Sequence, residues 1–270
     1  MKDHKLPTTA YHPLAYKNGD FLDSDDARPL RILAEYLEPM GRFAREKITG
    51  TVVFFGSARL QEEGPLGRYY EDARTLARLL TSWFKSLPTT AGRMAVCTGG
   101  GRGIMEAANR GAADAGGPTI GLNISLPEEQ QTNPFVTPEL SFEFRYFFMR
   151  KLWFAHMARA IAVFPGGFGT LDEMSEILTL AQTRKLDRRI AILLYGTDYW
   201  KEIVNFDALI KHRMISPEDM GLFRFADDPQ TALAVLTEGL AAELKVPSPA
   251  FARSRTAHNG KSWLYQRSGD

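Results

Sequence analysis

The sequence predicts an α/β fold built on a doubly wound, mostly parallel sheet with helices on both faces. Three features predict it. Short apolar runs bounded by turn residues recur along the chain, segments with apolar residues at helical spacing separate them, and several of the runs end directly in glycines. Alternation of this kind gives βα units, whose crossover helices cover both faces of a parallel sheet. The architecture expected is Rossmann-like.

Residues 1–26 are polar and irregular. Residues 28–47 carry apolar positions at helical spacing and predict a helix, interrupted near Pro39 because proline donates no backbone hydrogen bond. TVVFF (51–55) is a strand, and residues 67–86 form an amphipathic helix with Tyr70, Leu76, Leu79, Leu80 and Trp83 on its apolar side. MAVC (94–97) is a strand, 103–115 a helix, TIGLNI (119–124) a strand and 146–158 a helix. AIAVF (160–164) is followed by a helix over 171–184, and RIAILLY (189–195) by helices over 198–213 and 229–244. Asp228 caps the last of these, with Pro229 at its first position. Residues 246–270 are rich in Pro, Ser and Arg and read as a flexible tail. The organisation expected is an N-terminal segment (1–47) whose helix packs on the core, one globular domain (48–245) and the tail.

With 270 residues, the chain has room for one large domain or at most two. Its 44% apolar and 24% charged residues are ordinary for a soluble globular protein. A formal net charge of +1 gives no overall pull towards nucleic acid or anionic lipid, so neither partner is expected. Cys97 is the one cysteine, which excludes an internal disulfide and a cysteine-based zinc site. Five scattered histidines lack paired spacing, so no metal and no cofactor are expected. The first twenty residues hold no apolar run of the kind a secretory signal needs, and no segment approaches a spanning helix. A bacterial-style cytoplasmic protein is the expectation.

Glycine turns carry the functional signal. Gly56-Ser57-Ala58-Arg59 follows the first strand, Thr98-Gly99-Gly100-Gly101-Arg102-Gly103 the second, and Pro165-Gly166-Gly167-Phe168-Gly169-Thr170 the strand at 160–164. In a parallel sheet all three lie at the carboxyl edge, where ligands bind at the reversal of strand order. Glycine lets amides approach an anion, and the following helix N-terminus favours negative charge. Tight helix–strand packing explains any single such turn equally well. Three together favour a phosphate-bearing ligand. The dinucleotide pattern fails, because Glu106 stands where its last glycine belongs, and no Gly-Lys-Ser/Thr follows any of the turns. A nucleoside monophosphate or sugar phosphate fits better than NAD or ATP.

GGGRGIMEAANRGA (99–112), the pair Arg150-Lys151 and PGGFGTLDE (165–173) resemble the LOG (Lonely Guy) family of cytokinin riboside 5′-monophosphate phosphoribohydrolases and related nucleotide nucleosidases. The motif PGGxGTxxE is matched at every fixed position, and the likeness extends over roughly residues 50–240. Arg102 and Glu106 depart from the small residue or proline and from the glycine of shorter plant-type members. An older name for the family is lysine decarboxylase, yet no lysine-centred motif for a pyridoxal Schiff base stands out. The resemblance implies hydrolysis of the N-glycosidic bond of a nucleoside 5′-monophosphate, AMP or an N6-modified AMP first among them. It also implies a catalytic pair, Arg150 and Glu173, and a homodimer or higher assembly.

Breaking that bond builds positive charge on the ribose, which a carboxylate stabilises. Glu173 is the expected carboxylate. Its competing role is structural: Thr170-x-x-Glu173 also spells a capping box. Arg150 stays protonated, so its expected role is electrostatic and positional. The amides of Gly167, Gly169 and Thr170 are expected to hold the 5′-phosphate beside Gly166, with Ser57, Arg59, Thr98, Gly99, Gly100 and Lys151 also contacting substrate. Cys97 reads as a buried strand residue and His156 as a packing residue. Two other functions compete: a non-catalytic nucleotide-binding or sensor protein, and single-strand DNA binding, which the absence of a basic-aromatic strip disfavours. The aromatic stretch FEFRYFFMRKLWF (142–154) is hard to bury in one copy and is expected at a subunit interface.

Overall fold

In the computed structural model, residues 13–126, 131–186 and 188–246 are described. The tail expected over 246–270 lies outside them except for Val246. The elements run α1 (Gly19–Asp23), α2 (Arg28–Arg45), β1 (Ile48–Phe55), α3 (Gly67–Ser86), β2 (Arg93–Thr98), α4 (Ile104–Asp114), β3 (Thr119–Ile124), β4 (Ser141–Phe144) and α5 (Phe147–Met157). They continue with β5 (Ala158–Val163), α6 (Phe168–Gln182), β6 (Ala191–Tyr195), α7 (Thr197–Ile203), α8 (Phe206–Lys211), β7 (Arg224–Ala226) and α9 (Pro229–Leu244).

All seven strands pair in parallel, in the order β4-β3-β2-β1-β5-β6-β7. The doubly wound α/β expectation is borne out. The chain winds outward from β1 through β2 and β3 to β4, then returns to β5 on the other side of β1. The carboxyl ends of β1 and β5 therefore flank the switch-point crevice. One core layer joins the sheet to α2, α5 and α6 through Phe43, Phe55, Trp153, Phe154, Met174 and Ile177. The other joins it to α3, α4 and α9 through Phe54, Leu76, Leu80, Ile104, Phe164 and Leu236. Strands buried on both faces need continuous apolar runs, and this is why the inner strands were legible.

Four details differ from the sequence expectation. α2 runs unbroken through Pro39. A proline there removes the N–H that would bond the carbonyl of Glu35, and the indole Nε1 of Trp153 donates to that oxygen instead, at 2.9 Å. The orphan carbonyl thus becomes the seam between α2 and α5. The helix expected over 198–213 is two helices, α7 and α8, with Asn205 capping the second through its side chain. Two edge or near-edge strands, β4 and β7, were not expected. Finally, α6 begins at Phe168, three residues before the expected start.

Asp228 caps α9 as expected, accepting from the amides of Gln230 and Thr231. Gly103, which opens α4, has φ +65°, and a Cβ there would lie 2.2 Å from the carbonyl oxygen of Ser57. Left-handed backbone and a backbone clash both oppose a side chain. Gly103→Ala is expected to cost about 1–3 kcal/mol, read as a shift of the urea midpoint without a change in its slope.

Candidate active site

The three glycine turns come together at the carboxyl edge. The amide of Ser57 donates to the carbonyl of Pro165 at 3.0 Å, and the amide of Ile104 donates to the carbonyl of Ser57 at 3.1 Å. The turn after β1 is thereby stitched to the other two. Gly166 is shaped by packing: a Cβ would lie 2.1 Å from Thr170 Oγ1 and 3.0 Å from the Ser57 nitrogen. Its carbonyl accepts from Tyr199 Oη at 2.8 Å, which anchors the turn to α7. Gly167 and Gly169 differ. A Cβ on either would meet nothing within 4 Å, so open space lies before both.

That space faces a helix N-terminus. Gly167 is the N-cap of α6, and the first bond of the helix runs from Leu171 N to Gly167 O at 3.0 Å. The amides of Gly167, Phe168, Gly169 and Thr170 have no acceptor among the described residues; the first three residues are exposed and Thr170 is buried, so unpaired donors and the positive end of the helix dipole are left at this end of α6 for an anion. Phe168 stands between the two open glycines and is 92% exposed.

Because α6 starts at Phe168, Thr170 is its third residue and not its cap. The capping-box alternative for Glu173 therefore fails: Gly167 occupies the cap position with no side-chain bond. Glu173 instead turns inward, where its Oε1 accepts from Arg150 Nη2 of α5 at 3.3 Å. Both side chains are largely buried, with 12% exposure for Arg150 and 14% for Glu173. Burial pushes the Glu173 carboxyl up to about 7, against the opposing pull of Arg150. Burial also lowers the Arg150 guanidinium below its usual range, although Glu173 opposes this. Arg150 lies 5.3 Å from the Phe147 ring centroid and 5.7 Å from that of Phe154, and its Nε has no hydrogen-bond partner among the described residues. It also borders the second turn, since a Cβ on Gly99 would come within 3.8 Å of Nη1.

Asp172, next to Glu173 in sequence, points elsewhere. It meets Lys151 Nζ at 2.6 Å, and Glu176 meets the same nitrogen at 3.2 Å. Lys151 thus occupies the α5–α6 surface beside the buried pair. Thr98 is fully buried, accepts from the Gly100 amide at 2.9 Å and bonds Asn109 Oδ1 at 2.7 Å. Ser57 Oγ accepts from the amide of Arg59 at 3.0 Å, and the Arg59 side chain is exposed. Glu106 faces α3, where Tyr70 Oη donates to it at 3.3 Å. Cys97 is buried, and burial raises its thiol far above the usual range, so it is no nucleophile. His156 stacks edge-on against Trp153. No group of three His, Cys, Asp or Glu able to hold a metal occurs among the described residues, and no helix there is long and apolar enough to cross a membrane. Sequence reasoning missed Tyr199, Asn109 and Asn133, which shape the turns from outside them. Asn109 lies inside the second motif, but nothing in the sequence singles out Tyr199 or Asn133.

A family model described as "Possible lysine decarboxylase" matches residues 105–236. Two curated proteins of Oryza sativa subsp. japonica, each called a probable cytokinin riboside 5′-monophosphate phosphoribohydrolase, are similar to the chain. One is 29% identical over 145 residues, which is 53% of this chain and 62% of the relative. The other is 28% identical over 192 residues, 70% of this chain and 83% of the relative. The chain thus spans less than two thirds of the length of the first. Among solved structures, a Moco carrier protein from Chlamydomonas reinhardtii has a TM-score of 0.48 at 22% identity, covering 72% of this chain and 99% of its own. A molybdenum cofactor binding protein from Rippkaea orientalis has a TM-score of 0.46 at 18% identity, covering 73% and 96%.

Proposed function

We propose that this chain, which is related to the LOG family, hydrolyses the N-glycosidic bond of a nucleoside 5′-monophosphate to free base and ribose 5-phosphate. The observation that supports the reading best is the buried pair of Arg150, on α5, with Glu173, on α6, the helix whose four leading amides have no acceptor among the described residues. The 5′-phosphate sits on the amides of Gly167, Phe168, Gly169 and Thr170, and Gly166 sets the turn. The ribose lies further along α6, over Glu173. As the bond between C1′ and the base nitrogen lengthens, its electron pair leaves with the base and positive charge spreads over C1′ and the ring oxygen. Glu173, as carboxylate, stabilises that charge and takes the proton of the water whose oxygen bonds to C1′; one proton passes from the site to the departing base nitrogen, so that neutral base and ribose 5-phosphate leave and Glu173 returns to its carboxylate form. A carboxyl held at about 7 is suited to accept a proton at neutral pH. Arg150 fixes the carboxylate and favours its ionised form. Ser57, Arg59, Thr98, Gly99 and Gly100 border the substrate from the other two turns, and Lys151 acts at the rim through Asp172 and Glu176.

AMP or an N6-modified AMP is the substrate we favour, as in cytokinin activation, in the cytoplasm. The exposed Phe147, Phe148 and Leu152 of α5 are assigned to a homodimer contact beside the site. Sedimentation should show a dimer, and a monomer at all concentrations would remove that contact. The activity test is incubation with AMP, GMP, CMP, UMP and N6-isopentenyl-AMP, followed by chromatography of free base and ribose 5-phosphate. Release of base is the expected result. Nucleotide binding without release from any of the five would leave the non-catalytic sensor.

A further inference from the structure

Peptide geometry at the second glycine turn assigns a role to an asparagine that no motif marks. Asn133 lies between β3 and β4 and is 5% exposed. Its backbone amide donates to the Gly100 carbonyl at 2.8 Å. Its Nδ2 faces the carbonyls of Gly100 at 3.1 Å and Gly101 at 2.9 Å, and Asn109 Oδ1 at 2.9 Å. Its Oδ1 accepts from the Phe135 amide at 3.1 Å, so both ends of the side-chain amide are held. Two successive carbonyls of the turn are therefore drawn to one buried side chain.

In a trans peptide the carbonyl and the following N–H point to opposite sides, and no cis bond occurs among the described residues. The amides of Gly101 and Arg102 consequently point away from Asn133, and neither has an acceptor among the described residues. Successive outward amides form a concavity that binds anions and other oxygen acceptors. The turn borders the catalytic pair through Gly99 and the phosphate side through the bond from Ile104 to Ser57. We propose that Asn133 is a positioning residue. By holding the carbonyls of Gly100 and Gly101 inward, it aims the amides of Gly101 and Arg102 at oxygens of the ribose 5-phosphate half of the substrate. This rests on the nucleoside monophosphate reading above.

The test is binding of ribose 5-phosphate by calorimetry, alongside steady-state kinetics with AMP, for the full chain and Asn133→Ala. The variant is expected to bind ribose 5-phosphate about tenfold more weakly, and to raise KM by a similar factor with kcat within about threefold. A purely structural role would reduce the active fraction, and so kcat, and leave KM and the dissociation constant unchanged; that result overturns the proposal. Should the variant misfold, amide exchange on the unaltered protein decides. Ribose 5-phosphate is expected to slow exchange at Gly101 and Arg102, and absence of protection there overturns the proposal. A wild-type chain that binds ribose 5-phosphate with that protection but releases no base defeats the hydrolase reading and leaves Asn133 in its role. A chain that does not bind ribose 5-phosphate defeats the positioning role, whatever base it releases.

Discussion

Glu173→Gln is expected to lower kcat for base release by about 10²–10³, the usual loss when a group that stabilises transition-state charge is neutralised. Glutamine keeps the size of the side chain and an oxygen for Arg150 Nη2, so the geometry of the pair survives while its charge does not. Stability should move the other way. In the folded state burial holds the Glu173 carboxyl at about 7, above the usual carboxylate range of the unfolded chain. Between those two values the folded state binds the proton more tightly, so the contribution of Glu173 to stability is full at acid pH and lost as pH rises through 7. Glutamine titrates nowhere in that window. The variant should therefore be as stable as the wild type at pH 8 or more so, and its stability should vary less between pH 5 and 8. A helix cap would behave differently, costing about 1 kcal/mol on removal with no loss of turnover. Urea melts at the two pH values, run beside the rate assay, separate these outcomes. A variant that keeps its rate and melts earlier at both would return Glu173 to a structural role.

The residues that made the fold legible are those buried on both sides of the sheet. Val52 to Phe55, Ala95 to Cys97 and Ala160 to Val163 have nowhere to place a polar side chain, so their runs are continuous and short. β4 escaped notice because Ser141-Phe142-Glu143-Phe144 merges with the aromatic start of α5 into one apolar stretch. β7 is three residues long, too short for any period to show. The buried Arg150–Glu173 pair was legible only through the motif. Spacing along the chain says nothing about Arg150 and Glu173, twenty-three residues apart, meeting between α5 and α6. The capping pattern even pointed away from it, because the helix start could not be placed to within three residues. Asn133 shows the same limit in stronger form. A loop asparagine carries no period, and its importance arises from two carbonyls that sit more than thirty residues earlier in the chain.

Removing the other member of the pair should expose how burial and pairing divide the work. Arg150→Ala takes away the first of the charges that hold the Glu173 carboxyl down, while its burial remains. The carboxyl should then titrate well above 7, and the acidic limb of the kcat/KM profile, which the proposed mechanism assigns to ionisation of Glu173, should move to higher pH. At pH 7 the variant loses both the ionised base and the group that orients it, so a fall of at least about 10² is expected. Breaking a buried pair by deleting one partner costs about 3–5 kcal/mol when the remaining charge stays ionised. Here the carboxyl can escape by binding a proton, so the destabilisation should be largest at pH 8 and shrink towards pH 5. Arg150→Lys restores a charge without the planar fork, and should recover the position of the acidic limb more fully than the rate. An acidic limb that stays at its wild-type position in Arg150→Ala would mean that a group other than Glu173 sets it. The proton acceptor would then have to be sought elsewhere around the open end of α6.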